Sequence, residues 1–317
     1  MAEQKTYIGK KGWERVRVIP FGMQRKIVAN MTMESWRTIP HTAGIYEPDA
    51  TEFWNTFQRL RTQPGWEGVT INTLMLYVIT QALIACPAMN AHINFKPWTI
   101  NGTIEEFKDV NISMPMALPT GDMMTINIHN CESKSLRELR DYISDVRRRM
   151  ANTQLVEAMY EVALDNSMQE LRRGRLLKVI GRLLGANIGQ GKVKRLKGDA
   201  KKAYNAIPEA DRLTKKDIEQ GTIVVSNLGS VYRGNNYSVP CLIEIIPPQV
   251  AAIAIGGFTD RPGIVKDENG ALTVAPRKYL SINSAVDHRA CDFGDVMPFF
   301  KRLDEIFANP EQMKDWL

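Results

Sequence analysis

Apolar residues recur at helical spacing in five segments of the chain, and strand-like apolar runs fill much of the remainder. The helical spacing predicts helices over 23–37, 52–61, 70–85, 133–150 and 294–308. Strands are predicted over 43–47, 109–117 and 123–128, and again at several places between 221 and 286. Residues 95–104 predict a hairpin closed by Asn101 and Gly102, because this dipeptide readily takes the positive φ of a two-residue turn.

Strands interspersed with helices and joined by long connections indicate the α/β (α+β) class, with a mixed β-sheet covered by helices. No spacer rich in Pro, Gly or Ser divides the chain, and no repeat of fixed period is present. We therefore expect residues 1–317 to form a single domain.

The connection over 151–220 has a mostly helical pattern and an uneven charge. Between Leu171 and Lys202 the local charge is +10, although the whole chain carries only +6. Leucines alternate there with basic residues, which predicts a basic amphipathic helix. The basic residues of this segment are Arg172, Arg173, Arg175, Lys178, Arg182, Lys192, Lys194, Arg195, Lys197, Lys201 and Lys202.

Three interpretations of this basic segment remain open. The helix can pack on its own domain with a solvated basic face, contact a membrane surface or an acidic partner through 171–202, or clamp the phosphates of coenzyme A. Because the rest of the chain carries −4, the net charge does not indicate a nucleic-acid-binding protein.

The remaining composition excludes several other classes of protein. The N-terminus lacks the apolar stretch of a secretion signal, and no uninterrupted apolar run is long enough for a membrane span. We expect a cytoplasmic protein, with peripheral membrane contact if the basic segment provides it. The four cysteines are far apart, and no ligand spacing predicts a metal site.

His288 is the best candidate for acid–base chemistry among the four histidines. It follows the strand-like run 279–286, lies between Asp287 and Arg289, and precedes Asp292 by four residues. An imidazole beside a carboxylate suits a general base near neutral pH, although a surface histidine in a charged turn has the same pattern. Cys291 lies in the same motif, where it can be a buried packing residue or a reactive thiol.

Five blocks in one order carry a resemblance to a known family: 25–41, 111–121, 221–229, 243–257 and 279–292. Together they resemble the catalytic domain of the dihydrolipoyl acyltransferases of 2-oxo acid dehydrogenase complexes, a family related to chloramphenicol acetyltransferase. The resemblance covers 18–317 apart from 151–220, a connection that is short in typical members. It implies the chloramphenicol acetyltransferase-like fold.

The resemblance also implies roles for four residues. His288 would remove the proton from the acceptor, and Asp292 would pair with Arg25 to hold the geometry of the site, since a guanidinium fixes a carboxylate in one orientation. Ser226 would donate to the oxyanion, although a serine before Asn and Gly also stabilises a turn by itself.

The function so implied is acyl transfer from a thioester, with acyl-coenzyme A as the expected donor, to a thiol, hydroxyl or amine. Nothing before Val18 resembles a lipoyl domain, so we expect a stand-alone form without covalently attached lipoate. One alternative is a catalytic core that receives acyl groups from a separate lipoyl carrier and works with dehydrogenase partners. Another is a non-catalytic trimeric scaffold of the same fold.

The resemblance further implies a homotrimer with active sites between subunits, and larger shells of trimers when the C-terminus docks into a neighbour. The terminal Trp316 and Leu317 suit such docking or a packed helix end equally. Two departures stand out. Phe293 follows Asp292 where the family has glycine, which would strain a turn that needs positive φ, and Asp122 replaces an apolar residue.

Overall fold

A computed structural model describes residues 7–8, 12–117, 123–172, 174, 176–187, 192–193, 195–230 and 242–317 of the chain. Asp122 lies outside the described residues, as do Arg173, Arg175 and Lys194 of the basic segment. Within the described ranges, no helix is long and apolar enough to cross a membrane.

A six-stranded sheet forms the centre of the fold, with strand order β3-β10-β9-β8-β6-β7. β8 runs parallel to both of its neighbours, while the other pairs are antiparallel. The predicted mixed sheet is therefore confirmed. The strands are β1 Tyr7–Ile8, β2 Glu14–Arg15, β3 His41–Tyr46, β4 Ala91–Lys96, β5 Asn101–Glu106, β6 Ile112–Ala117, β7 Met123–Ile128, β8 Ile223–Asn227, β9 Ala251–Lys266 and β10 Leu272–Asp287.

Helices cover the sheet, and all five predicted helices are present with ends that differ by at most three residues. Thr70 caps α3 by accepting from the backbone of Thr73, and Ser135 with Glu138 forms a capping box at the start of α4. The helices are α1 Met23–Thr38, α2 Thr51–Leu60, α3 Ile71–Ile84, α4 Leu136–Ala151, α5 Leu155–Arg172, α6 Leu176–Asn187, α7 Gly198–Ala206, α8 Lys215–Ile218 and α9 Phe293–Ala308.

The main hydrophobic core lies on one face of the sheet. Ten of the 14 residues of α3 are buried, which makes it the central helix of this layer. Phe53 from α2 and Phe299 from α9 are fully buried in the same core. The opposite face of the sheet carries a smaller cluster, formed by Ile39, Ile245, Ala252 and Ala285.

The predicted turn of the β4–β5 hairpin is wrong. Lys96 pairs with Asn101, so the turn occupies 97–100 and both Asn101 and Gly102 belong to β5. Ile100 takes φ 49° in this turn, a conformation that is rare for a β-branched residue. A Cβ on Gly102 would lie 2.5 Å from the Asn94 carbonyl oxygen, so the glycine is required for close strand approach.

Residues 151–220 are mostly helical, as predicted, and contain α5 to α8. Glu157 of α5 holds the later part of this segment in place. Its buried carboxylate accepts from Arg195 Nη2 at 2.7 Å and from the backbone nitrogen of Leu196 at 2.7 Å. The Arg195 guanidinium also lies 3.8 Å from the centre of the Tyr160 ring.

Candidate active site

His288 lies immediately after β10, where the sheet ends. Its backbone nitrogen donates to the Pro40 carbonyl at 3.0 Å, which ties the residue to the chain just before β3. Nδ1 lies 3.2 Å from Asp292 Oδ1 and 3.3 Å from the Cys291 carbonyl. Because both groups can only accept, Nδ1 carries the proton and Nε2 carries the lone pair that a general base needs.

The His288 side chain is 54% exposed in the single chain, and that of Asp292 is 80% exposed. The pair is therefore open to a ligand or to another chain. Asp292 also occupies the N-cap position of α9, where its backbone nitrogen donates to Asp295 Oδ2 at 2.8 Å. A capping interaction thus fixes the backbone that carries the carboxylate beside His288.

An ion pair that the sequence did not indicate holds the residues on either side of His288. Asp287 is completely buried, and its Oδ2 accepts from Arg289 Nη2 at 2.6 Å. Asp287 Oδ1 accepts from the backbone nitrogen and Nε of Arg289 at 3.0 and 2.9 Å. Arg289 also lies over the Phe95 ring, 5.3 Å from its centre. The sequence signal for this ion pair was the presence of Asp287 and Arg289, two opposite charges two residues apart at the end of a buried strand.

Phe293 is not strained. It is the first residue of α9, and the described non-glycine residues with positive φ are Ile100 and Asn130. The helix therefore begins directly after Asp292, without the left-handed turn that a glycine would serve. The Phe293 side chain is 72% exposed beside the His288–Asp292 pair.

Ser226 lies far from His288 in the same chain. It is half-buried near the end of β8, in a row across the sheet with Ala254 of β9 and Asn283 of β10. Asp287 follows Asn283 by four residues on a strand two positions away. With about 3.3 Å per residue and about 4.8 Å between strands, the Cα atoms of Ser226 and Asp287 are roughly 16 Å apart. A single chain therefore does not bring Ser226 to His288.

Arg25 is also distant from Asp292. It is exposed in the first turn of α1, and about 15 Å of helix separates it from Ser35, whose hydroxyl donates to the Ile245 carbonyl. Within the described part of one chain, Asp292 pairs with His288 and forms no ion pair with Arg25. The predicted Arg25–Asp292 pair therefore does not form in a single chain, because α1 holds Arg25 at its far end.

Cys291 is a core residue. Its Sγ lies 3.3 Å from the Ala88 carbonyl, and burial raises the pKa of the thiol to about 12. At neutral pH it therefore stays protonated, which favours packing over nucleophilic chemistry.

His41 likewise has a packing role. Its Nε2 accepts from the backbone nitrogen of Ile245 at 3.1 Å, and its ring stacks on Trp36. Burial lowers the pKa of His92, and His129 Nε2 contacts the Lys216 carbonyl at 2.9 Å. Among the described residues, no group of three or more His, Cys, Asp or Glu could hold a metal ion.

The family of the chain follows from comparison with known proteins. The model of the 2-oxoacid dehydrogenases acyltransferase (catalytic domain) matches residues 13–161 and 192–314. The chain belongs to this family. A curated relative, the dihydrolipoyllysine-residue acetyltransferase component of the mitochondrial pyruvate dehydrogenase complex of Saccharomyces cerevisiae, is 23% identical over 93% of this chain and 47% of its own length. The chain thus spans about half the length of the curated relatives it matches.

Solved structures establish the fold. One is the dihydrolipoamide acetyltransferase of Azotobacter vinelandii, studied for the catalytic roles of a serine, a histidine and an asparagine. It is 17% identical, with 94% of each chain covered and a TM-score of 0.59. Another is the cubic core of a pyruvate dehydrogenase multienzyme complex, at 18% identity, the same coverage and a TM-score of 0.59. The predicted fold class is confirmed.

Proposed function

We propose that this protein transfers an acyl group between a thioester and a thiol, at a site assembled from two chains. Coenzyme A is the proposed thiol on one side of the reaction. The observation that carries the proposal is the exposed His288–Asp292 pair at the end of β10, in a chain of the acyltransferase family. In the Azotobacter enzyme, the histidine and asparagine named in catalysis are four positions apart. His288 and Asp292 have the same spacing, with a carboxylate in place of the amide.

His288 is proposed as the general base. The acceptor thiol loses its proton to Nε2, its sulfur bonds to the thioester carbon, and the carbonyl oxygen becomes an oxyanion. When the tetrahedral intermediate collapses, the C=O bond re-forms and the bond to the donor sulfur breaks. The departing thiolate then takes the proton from the imidazolium. Asp292 stabilises that imidazolium and keeps Nδ1 protonated throughout the cycle.

Ser226 is proposed as the oxyanion donor, supplied by a neighbouring chain. A distance of roughly 16 Å separates it from the end of β10 within one chain, so it can serve a given His288 only from another protomer. We therefore propose a homotrimer with one such composite site at each interface. Arg25 is proposed to meet Asp292 in the same way, across the interface.

The composite site can be tested with two inactive variants. We expect His288→Ala to reduce acetyl transfer from acetyl-coenzyme A to dihydrolipoamide by about 10²–10⁴-fold, and Ser226→Ala by about 10²–10³-fold. When the two variants are co-expressed and purified together through different tags, each mixed trimer should contain one intact site, about a third of its sites. Recovered activity should approach that fraction of the wild-type rate.

Each variant co-expressed with its own kind provides the control, since these trimers contain no intact site. Absence of recovery in verified mixed trimers would show that the site belongs to one chain. A wild-type rate for His288→Ala would favour the non-catalytic scaffold instead.

A separate lipoyl carrier is the second proposed acyl source. The curated relatives are named as components of dehydrogenase complexes and are about twice as long as the matched region, which supports a division of labour between chains. Acyl transfer from an acetylated free lipoyl domain, compared with free acetyl-lipoamide, separates the two sources. A preference for the domain would support the carrier and its dehydrogenase partners.

Larger shells of trimers remain part of the proposal, although the C-terminus gives them little support. Trp316 is buried in its own chain, with its ring centre 5.1 Å from that of Tyr77. Trp316 thus packs within its own chain and is not exposed for docking into a neighbour. The particle mass of the purified protein, measured by light scattering, distinguishes a trimer from a shell.

A further inference from the structure

Helix α6 exposes apolar side chains along its whole length. Leu176, Ile180 and Leu184 are four residues apart and therefore lie on one face, and Leu177 beside them is 85% exposed. Val179 of the same helix is buried. One side of α6 is thus packed on the protein, while another apolar side has no cover within the described residues.

The preceding helix has a second apolar stripe. Leu164, Met168 and Leu171 of α5 are exposed and follow the i, i+4, i+7 spacing of a single helix face. Exposed large apolar side chains are normal when scattered singly, but a run of seven between 164 and 184 is not. This density indicates a surface that is covered by something else when the protein functions.

The charge changes sign along this segment. Asp165 and Glu170 lie in α5, whereas the charged residues that next follow Glu170 are basic. From Leu171 to Gly198 the sequence contains nine Lys or Arg residues and no Asp or Glu. Of these, Arg195 is neutralised by Glu157, whereas Arg172, at the end of α5, is exposed. A one-sided positive charge next to an apolar helix face complements a surface that is both anionic and apolar beneath.

The seven exposed apolar residues lie in a range that the family model does not match. The model matches the chain on both sides but leaves 162–191 unmatched, a range that includes all of α6 and most of α5. The exposed apolar face therefore belongs to a part of the chain that the family model does not match, and we expect it to serve a purpose other than acyl transfer.

We propose that the α5–α6 helix pair binds the surface of an anionic lipid membrane. With 12 residues, α6 is about 18 Å long, which is too short to span a hydrocarbon core of about 30 Å. It would instead lie in the plane of the interface, with Leu176, Leu177, Ile180 and Leu184 among the acyl chains and Arg172 at the headgroups. A second copy of the chain would gain the apolar contact, but the like charges of two basic segments would oppose it.

Vesicle flotation with the full chain tests the proposal. We expect binding to vesicles of phosphatidylcholine mixed with phosphatidylglycerol, and little binding to phosphatidylcholine alone. Leu177→Glu should weaken binding at least tenfold, because a leucine that would insert among the acyl chains is replaced by a charge that the anionic surface repels. Arg172→Gln should weaken it roughly fivefold, and added salt should weaken it further.

Leu272→Glu is the matched control, since Leu272 on the β9–β10 hairpin is likewise an exposed leucine, at 72%. It should bind vesicles like the wild type. Equal binding to neutral and anionic vesicles would overturn the proposal, as would equal effects of Leu177→Glu and Leu272→Glu. If the wild type does not bind vesicles and Leu177→Glu changes the particle mass, the apolar face of α6 contacts a second copy of the chain instead. Binding of an acidic protein in place of vesicles would also overturn it.

The membrane proposal does not depend on the catalytic one. His288→Ala leaves α5 and α6 unchanged and should float with anionic vesicles as the wild type does. A protein that binds vesicles but transfers no acyl group would refute only the proposed function, and an active protein that ignores vesicles would refute only the membrane contact.

Discussion

The central sheet and the α5–α6 helix pair use the same apolar residue types in opposite ways. In the sheet layer, α3 buries its leucines in the main core, and α9 buries Phe299 and Leu303 there. In the helix pair, seven large apolar side chains remain exposed. The family model matches the first region and omits most of the second. The difference shows that hydrophobic content alone does not locate the core, since the same amphipathic pattern can face an interior or an external partner.

The largest expected effect lies within α9, where a buried and an exposed phenylalanine can be compared directly. We expect Phe299→Ala to lower the free energy of unfolding by about 3–5 kcal/mol, because it leaves a cavity in the core. Phe293→Ala, six residues earlier in the same helix, should change it by less than about 0.5 kcal/mol. Denaturant unfolding measures both. Similar losses for the two variants would mean that Phe293 is buried in the assembled protein.

Alanine substitutions at two glycines should change the stability of the protein in opposite directions. A Cβ on Gly221, just before β8, would lie 2.3 Å from the Asn111 carbonyl oxygen, so Gly221→Ala should destabilise the protein by about 1–3 kcal/mol. Gly181 in α6 has open space around it, and Gly181→Ala should stabilise the helix by up to about 1 kcal/mol. Thermal unfolding of the two variants checks both signs. A loss at Gly181 would indicate that α6 is packed more closely than its exposure suggests.

The smallest effect concerns the ion pair between Glu157 and Arg195, which lie on either side of the unmatched range 162–191. We expect Glu157→Gln to cost about 1–2 kcal/mol, because it weakens a buried contact to Arg195, which is itself partly exposed. Asp199→Asn removes a fully solvated partner of Lys202 and should change stability by less than about 0.5 kcal/mol. Urea unfolding at neutral pH compares them, and equal losses would contradict a special role for Glu157.

The same pair predicts a pH dependence. The Arg195 guanidinium lowers the pKa of Glu157 below its ordinary value of 4.5. A carboxylate with a lowered folded-state pKa stabilises the fold fully above its ordinary pKa, and this stabilisation is lost as the pH falls through the lowered value. The wild type should therefore lose more stability than Glu157→Gln between neutral pH and the acid range below pH 4.5.

Much of the fold could be predicted from the sequence because its signals are local. Proline after α3, capping residues before α3 and α4, and β-branched runs in β8 and β9 each act over a few residues. The predicted position of the hairpin turn was wrong because Gly102 lies in β5, where it allows close approach to Asn94. A glycine can serve either a turn or such a close contact, and the local sequence does not distinguish the two. The single-domain organisation stays a prediction.

The candidate site was less accessible to sequence reasoning. His288 and Asp292 are four residues apart, so their contact is nearly local. Ser226 and Arg25 depend on sheet register and helix length, which place both far from His288 in one chain. Their roles stay predictions, and quaternary structure, which a residue pattern does not encode directly, decides whether they meet. The ion pair between buried Asp287 and Arg289 also depends on tertiary structure, because the packing at the end of β10 determines the burial of Asp287.

That buried Asp287–Arg289 pair has a consequence for how the protein can diversify. The side chains of Asp287 and Arg289, which flank His288 in the sequence, contact each other, and Arg289 also contacts the Phe95 ring. Replacing residues on the open side, Phe293 among them, can therefore reshape what is accepted without moving the proton-accepting nitrogen. Such separation keeps reorganisation on ligand binding low and lets one scaffold accept new ligands by small steps.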